Sequence, residues 1–167
     1  PTASLHFRTD HLNQLQTKGV RLFTITLHIG LGTFLPIESE NIEDHTMHAE
    51  WIEIKSDVWN EIALAKRSGK KIWALGTTVT RALESAAHGK LSPLNSYSPT
   101  PIPSFYQSKT PNDHDCLCGL SDLFIKPPHF EFKVVDRLMT NFHQPQSTLL
   151  ALVSAFAGLD RTKEAYD

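Results

Sequence analysis

Residues 140–158, TNFHQPQSTLLALVSAFAG, decide how this chain is read. The first half is polar and crowded with reactive side chains: Asn141, His143, Gln144, Ser147 and Thr148. The second half is an apolar run that ends at Gly158. Ser147 can cap a helix over 147–157, and Gly158 can stop it. A polar loop that feeds a helix N-terminus presents free N–H groups and a partial positive charge. Active sites are often built this way.

The same alternation runs outward along the chain. KIWALG, 71–76, reads as a buried strand and passes directly into a helix over 77–87. Residues 57–68 carry Val58, Ile62 and Ala65 on one face, with Ser56 as cap and Gly69 as stop, which predicts an amphipathic helix. A further helix is predicted over 9–18, with Thr9 or Asp10 as cap and Gly19 after it. Residues 160–166 begin another. The β-branched stretch VRLFTITLH, 20–28, reads as a strand, as do 51–54, 123–125 and 132–135. Strands alternating with helices predict one α/β domain with a mixed sheet over residues 1–167. Residues 88–119 hold five of the ten prolines and read as a long Pro/Ser-rich loop or insertion. No internal repeat is visible.

Composition bounds the partners. A formal charge of −2 gives no overall basic field of the kind that marks nucleic-acid binders. Nine histidines supply groups that titrate near neutrality. The two cysteines, Cys116 and Cys118, are too close for an ordinary disulfide framework and favour a reducing compartment. No apolar run reaches membrane-spanning length, and the opening PTASLHFRTD lacks the features of a signal peptide. The first residue is Pro1, inside a motif, and Asp167 falls within a helix-like segment. The expectation is therefore a piece of a longer protein.

Five stretches could carry chemistry. IEDHTMHAE, 42–50, gathers Glu43, Asp44, His45, His48 and Glu50, and on a helical turn His45 and His48 would share a face. It reads either as a catalytic or metal-binding cluster or as a solvated loop, and no third metal ligand can be assigned. LGTTVTRALES, 75–85, places Thr77 and Thr78 at a helix start where an anion could bind, with Arg81 and Glu84 further along; a capped crossover would look the same. TLHIGLGTF, 26–34, sets His28 before Gly30 and Gly32, which suits either close backbone approach to a ligand or a plain turn. DHDCLC, 113–118, has no second ligand pair to make a metal site. Lys66, Arg67, Lys70 and Lys71 are either helix C-terminal cations or a phosphate-backbone contact.

PTASLHF (1–7), TLHIGLGTF (26–34), IEDHTMHAEW (42–51), LGTTVTRALES (75–85), FKVVDRLMTNFHQPQSTLLALVSAFAG (132–158) and EAY (164–166) together resemble one family. It is the S-adenosylmethionine:tRNA ribosyltransferase-isomerases of queuosine biosynthesis. The order is kept over nearly the whole chain apart from 88–119. The chain departs from the family pattern at Ser4, where glycine is usual, and at 127–129, PPH.

The resemblance implies a cytoplasmic enzyme, expected to be monomeric and without membrane attachment. Its substrates would be S-adenosylmethionine and tRNA carrying 7-aminomethyl-7-deazaguanine at the wobble position. The ribosyl group is transferred and rearranged to give epoxyqueuosine-tRNA, with adenine and methionine released. No metal or other cofactor is implied. The family also has a small β-barrel domain that this sequence lacks.

Such chemistry needs bases for the amine and for the carbon beside the sulfonium, and an acid for adenine departure. His45, His48, Asp44, Glu50 and His143 are the candidates for that work, with His6 and His28 behind them. Thr77, Thr78 and Arg81 are candidates to hold the methionine carboxylate or ribose hydroxyls. Asn141 and Ser147 are candidates to orient substrate, and Gly30 and Gly32 to let it approach. Two other readings stay open: a metal-dependent hydrolase built on His45, His48 and Glu50, and an inactive RNA-binding piece of the same enzyme.

Overall fold

The computed structural model describes residues 2–30, 36–92 and 116–167. Gly32 and residues 93–115 lie outside them. A 3-10 turn, Thr2–His6, leads into α1 (Thr9–Thr17) and β1 (Thr26–His28). A second 3-10 turn, Ile42–Asp44, precedes β2 (Glu50–Lys55), α2 (Ser56–Arg67), β3 (Trp73–Leu75) and α3 (Thr77–Ala87). The remaining elements are β4 (Cys116–Ser121), β5 (Arg137–Met139), α4 (Thr148–Ala157) and α5 (Leu159–Tyr166). Strands β1, β2 and β4 form an antiparallel sheet in that order, and β3 and β5 form a parallel pair. The fold is mixed α/β. Among the described residues no helix is long and apolar enough to cross a membrane.

The core gathers where the sequence periodicity points. Ile52 and Ile54 of β2 face Val58 and Ile62 of α2, Ala82 and Leu83 of α3, and Val134 and Val135. Burying these side chains is the main favourable term in folding. Helices α2, α3 and α4 begin and end close to the predicted positions. At α4 the Ser147 hydroxyl accepts from the Leu150 N–H at 3.1 Å, an N-cap bond.

Three expectations change. Residues 123–125 and 132–135 are not strands. The reason at 132–135 is Glu84, which is fully buried on α3. Its Oε2 accepts from the Lys133 N–H at 2.8 Å, and its Oε1 accepts from Val134 and Val135 at 3.0 and 2.8 Å. A side chain fifty residues away thus takes the donors that a strand partner would have used. The predicted strand 20–28 shortens to β1, because β2 gives way to α2 at Ser56 and leaves 20–23 without a strand to pair with. The connection predicted to run to 119 ends earlier, since Cys116–Ser121 is strand β4, paired along all of β2. Gly119 is needed there: a Cβ would lie 2.9 Å from the Ser92 carbonyl oxygen, where Ser92 bridges to Leu120.

Glu84→Gln tests the carboxylate anchor. One oxygen becomes an NH2 group that faces an N–H donor, so a buried donor loses its acceptor. The expected cost is about 2–4 kcal/mol of unfolding free energy, read by denaturant titration. A loss below about 0.5 kcal/mol would mean that the anchor contributes little.

Candidate active site

The parallel pair sets the position of the site. In open α/β sheets, ligands bind beyond the carboxyl ends of the strands. Here β3 ends at Leu75 and passes through Gly76 into α3, while β5 ends at Met139 and passes through 140–147 into α4. The Gly76 N–H donates to the Met139 carbonyl at 2.8 Å and ties the two ends together. Gly76 has φ 104°, a backbone state that favours glycine and turns the chain abruptly into α3. Two helix N-termini therefore open onto one space.

That space is a cleft of about 520 Å³. Its walls are Thr2, Ala3 and Leu5 of the opening turn, Ile29, Gly76–Thr78, Thr140–Gln144, Ser147 and Leu149. The loop after β5 is braced from outside. The Ile37 N–H donates to the Gln146 carbonyl at 2.8 Å, and Pro36 bridges to Ser147. Gln146 sits at φ 55°, a region seldom used by residues other than glycine.

The structure brings five sequence candidates onto this cleft: Thr77, Thr78, Asn141, His143 and Ser147. His6 joins them through Asn141. Its Nε2 lies 2.9 Å from Asn141 Oδ1, while Asn141 Nδ2 donates to the Thr2 hydroxyl at 3.2 Å. With the amide oriented this way, His6 donates from Nε2 and keeps Nδ1 as an acceptor when neutral. His143 Nε2 lies 3.0 Å from the Thr140 hydroxyl. Burial lowers the His143 pKa below the ordinary imidazole value, because desolvation disfavours the cation. At neutral pH His143 is therefore a neutral imidazole, able to take up a proton.

Other candidates stand elsewhere. Glu50 and Arg81 form a buried ion pair with one another. Burial pushes the Arg81 pKa down to about 10, which still leaves it charged at neutral pH. Arg81 lines a second, much smaller pocket of about 10 Å³, room for roughly one water. Thr77, Thr78 and Leu149 separate this pocket from the cleft, since they line both. The Thr148 hydroxyl, also on its wall, is buried without a protein partner.

His45 and His48 do not share a helical face. The 3-10 turn ends at Asp44, His45 packs its ring on Phe124 at 5.3 Å, and His48 is exposed. Asp44 takes a 3.4 Å bond from Asn41. His28 closes β1 opposite Trp51, and a Cβ at Gly30 would meet open space. Among the described residues no group of three or more His, Cys, Asp and Glu side chains is placed to hold a metal.

Tyr166 was not among the candidates, although it closes the EAY motif. Its hydroxyl accepts from the His143 N–H at 2.8 Å, and its ring meets Phe142 edge-on at 5.0 Å. The end of α5 thus clamps the loop that carries His143. Nothing in local sequence reports a contact twenty-three residues distant; only the motif pointed at it.

A family described as "Queuosine biosynthesis protein" matches residues 1–167. An S-adenosylmethionine:tRNA ribosyltransferase-isomerase from Halothermothrix orenii is 46% identical over 166 residues, 99% of this chain and 42% of that protein. The crystal structure of an S-adenosylmethionine tRNA ribosyltransferase from Thermotoga maritima superposes with a TM-score of 0.65 at 32% identity, covering 98% of this chain and 44% of that one. The chain thus spans less than half the length of these relatives.

Tyr166→Phe removes the acceptor for the His143 amide and keeps the ring contact. Amide exchange at His143 is expected to accelerate at least about fivefold, in line with a net hydrogen-bond value near 1 kcal/mol. Unchanged exchange, followed by NMR or mass spectrometry, would mean that α5 does not hold the loop.

Proposed function

This chain belongs to the queuosine biosynthesis protein family, and from that premise we propose that the whole protein is an S-adenosylmethionine:tRNA ribosyltransferase-isomerase. Its acceptor is the aminomethyl group of 7-aminomethyl-7-deazaguanine at the tRNA wobble position. The amine nitrogen bonds to the ribosyl unit, the bond to sulfur breaks and releases methionine, and the glycosidic bond breaks and releases adenine. The ribosyl unit rearranges to an epoxycyclopentanediol. The protein acts in the cytoplasm as a monomer and uses no metal or other cofactor.

One observation carries the reading: the cleft where two helix N-termini, a desolvated neutral imidazole and an exposed aromatic ring meet. Helix N-termini suit the methionine carboxylate. We assign Thr77, Thr78 and Ser147 to that group and the ribose hydroxyls. Phe142, 76% exposed, offers a ring for adenine to lie against. His143 takes the leading acid–base role and His6 the second, with Asn141 fixing the His6 ring. His45, His48 and Asp44 keep a lesser share in this assignment, because they do not line the cleft. Glu50 and Arg81 support the floor through their pair, and His28 and Gly30 border the approach.

Adenine release from S-adenosylmethionine in the presence of the modified tRNA tests this. His143→Ala is expected to lower turnover by about 10²–10⁴, the usual range for a general acid–base group. His45→Ala/His48→Ala together should cost less, and the reverse order would overturn the assignment. The sign of the pH effect follows from burial. Protonation silences the base, so activity falls as pH drops through a value below the 6.5 of an ordinary imidazole. That acidic limb should vanish in His143→Ala.

A further inference from the structure

At the amino ends of β3 and β5, opposite the cleft, five cations fall in short segments that flank Asp136, two of them paired with its carboxylate. Lys66 and Arg67 close α2, Lys70 and Lys71 lead into β3, and Arg137 opens β5. Asp136 organises them. Its Oδ1 lies 3.2 Å from Lys66 Nζ and 3.5 Å from Lys71 Nζ, and its Oδ2 accepts the Ile72 N–H at 2.9 Å. The Arg137 guanidinium donates to the Asp136 carbonyl at 2.9 Å. Arg67 and Lys70, next to Lys66 and Lys71 in sequence, are exposed.

Cations at a helix C-terminus are favourable in themselves, but that accounts only for those on α2. Arg137 comes from another element, and the chain as a whole carries a formal charge of −2. Positive charge is therefore concentrated on this end of a net acidic molecule. Trp73 is 63% exposed and sits across from Arg137 in the strand register. The exposed face of the pair, with Trp73, Arg137 and Met139, runs about 10 Å from this patch to the cleft rim. Fixed cations beside an open aromatic ring suit a polyanion with flat bases.

We propose that this face is a second contact for the RNA substrate, in which Arg67, Lys70 and Arg137 meet backbone phosphates and Trp73 stacks on a base. The proposal rests on the tRNA reading above and extends it to a surface away from the reacting atoms. Asp136 serves it by fixing Lys66 and Lys71, so the patch is held before RNA arrives.

The test is tRNA binding by the whole protein as a function of salt, unchanged, as Arg67→Gln/Lys70→Gln, and as Lys18→Gln, a control just after α1. These side chains are exposed, and melting midpoints verify that all three fold alike. The double variant is expected to bind about tenfold more weakly at moderate salt. The slope of log affinity against log salt should fall by about one to two, as for each lost phosphate contact. Turnover at saturating tRNA should hold while KM for tRNA rises. Equal affinity and slope in the double variant would overturn this contact and leave the tRNA reading intact. A whole protein that binds no tRNA would overturn both.

Discussion

The buried carboxylate of Glu84 is the constraint on which the rest of the structure depends. It lies on α3, two turns from the helix start that faces the cleft, and it receives the backbone N–H groups of residues 133–135. Val134 and Val135 can then face the core without leaving unpaired donors. The chain emerges from this grip directly into Asp136 and β5. The parallel pairing of β5 with β3 follows, and with it the loop that carries Asn141 and His143. A side chain on the helix whose start lines one wall of the site thus fixes the backbone that leads into the other wall.

Around that anchor, charge is sorted by depth. Arg81 and Glu50 are buried against each other beneath the cleft floor, a pair whose separation would strand a charge in a medium that cannot solvate it. Partial burial lowers the His143 pKa and favours its neutral imidazole. Asp136, near the surface, stays ionised: burial works against it, but the Ile72 N–H and Lys66 outweigh that and hold its carboxyl below the usual range. The ion pairs brace the scaffold, and the His143 imidazole faces the cleft.

The sequence made most of the helices and half of the cleft readable. Ser147, Gly158 and the apolar run between them mark α4, because caps and stops act within a few residues. Gly76 followed by two threonines likewise marks the start of α3. What local patterns could not report was long-range pairing. Residues 132–135 look like a strand, yet their donors belong to Glu84. Residues 116–119 read as the end of the Pro/Ser-rich loop, yet they belong to β4, where Gly119 admits Ser92. Among site candidates, Asn141, His143 and Ser147 were legible as one dense segment. The proximity of His6, from the far end of the chain, was not, and Tyr166 was marked only by its motif.

In the reading proposed above, S-adenosylmethionine lies at the joined carboxyl ends of β3 and β5. Ultraviolet crosslinking of radiolabelled S-adenosylmethionine to the protein, followed by peptide mapping, addresses it without relying on turnover. Label is expected on Gly76–Thr78 or on Thr140–Gln144, displaced by excess unlabelled ligand. Displaceable label confined to residues 42–50, away from those two stretches, would contradict it.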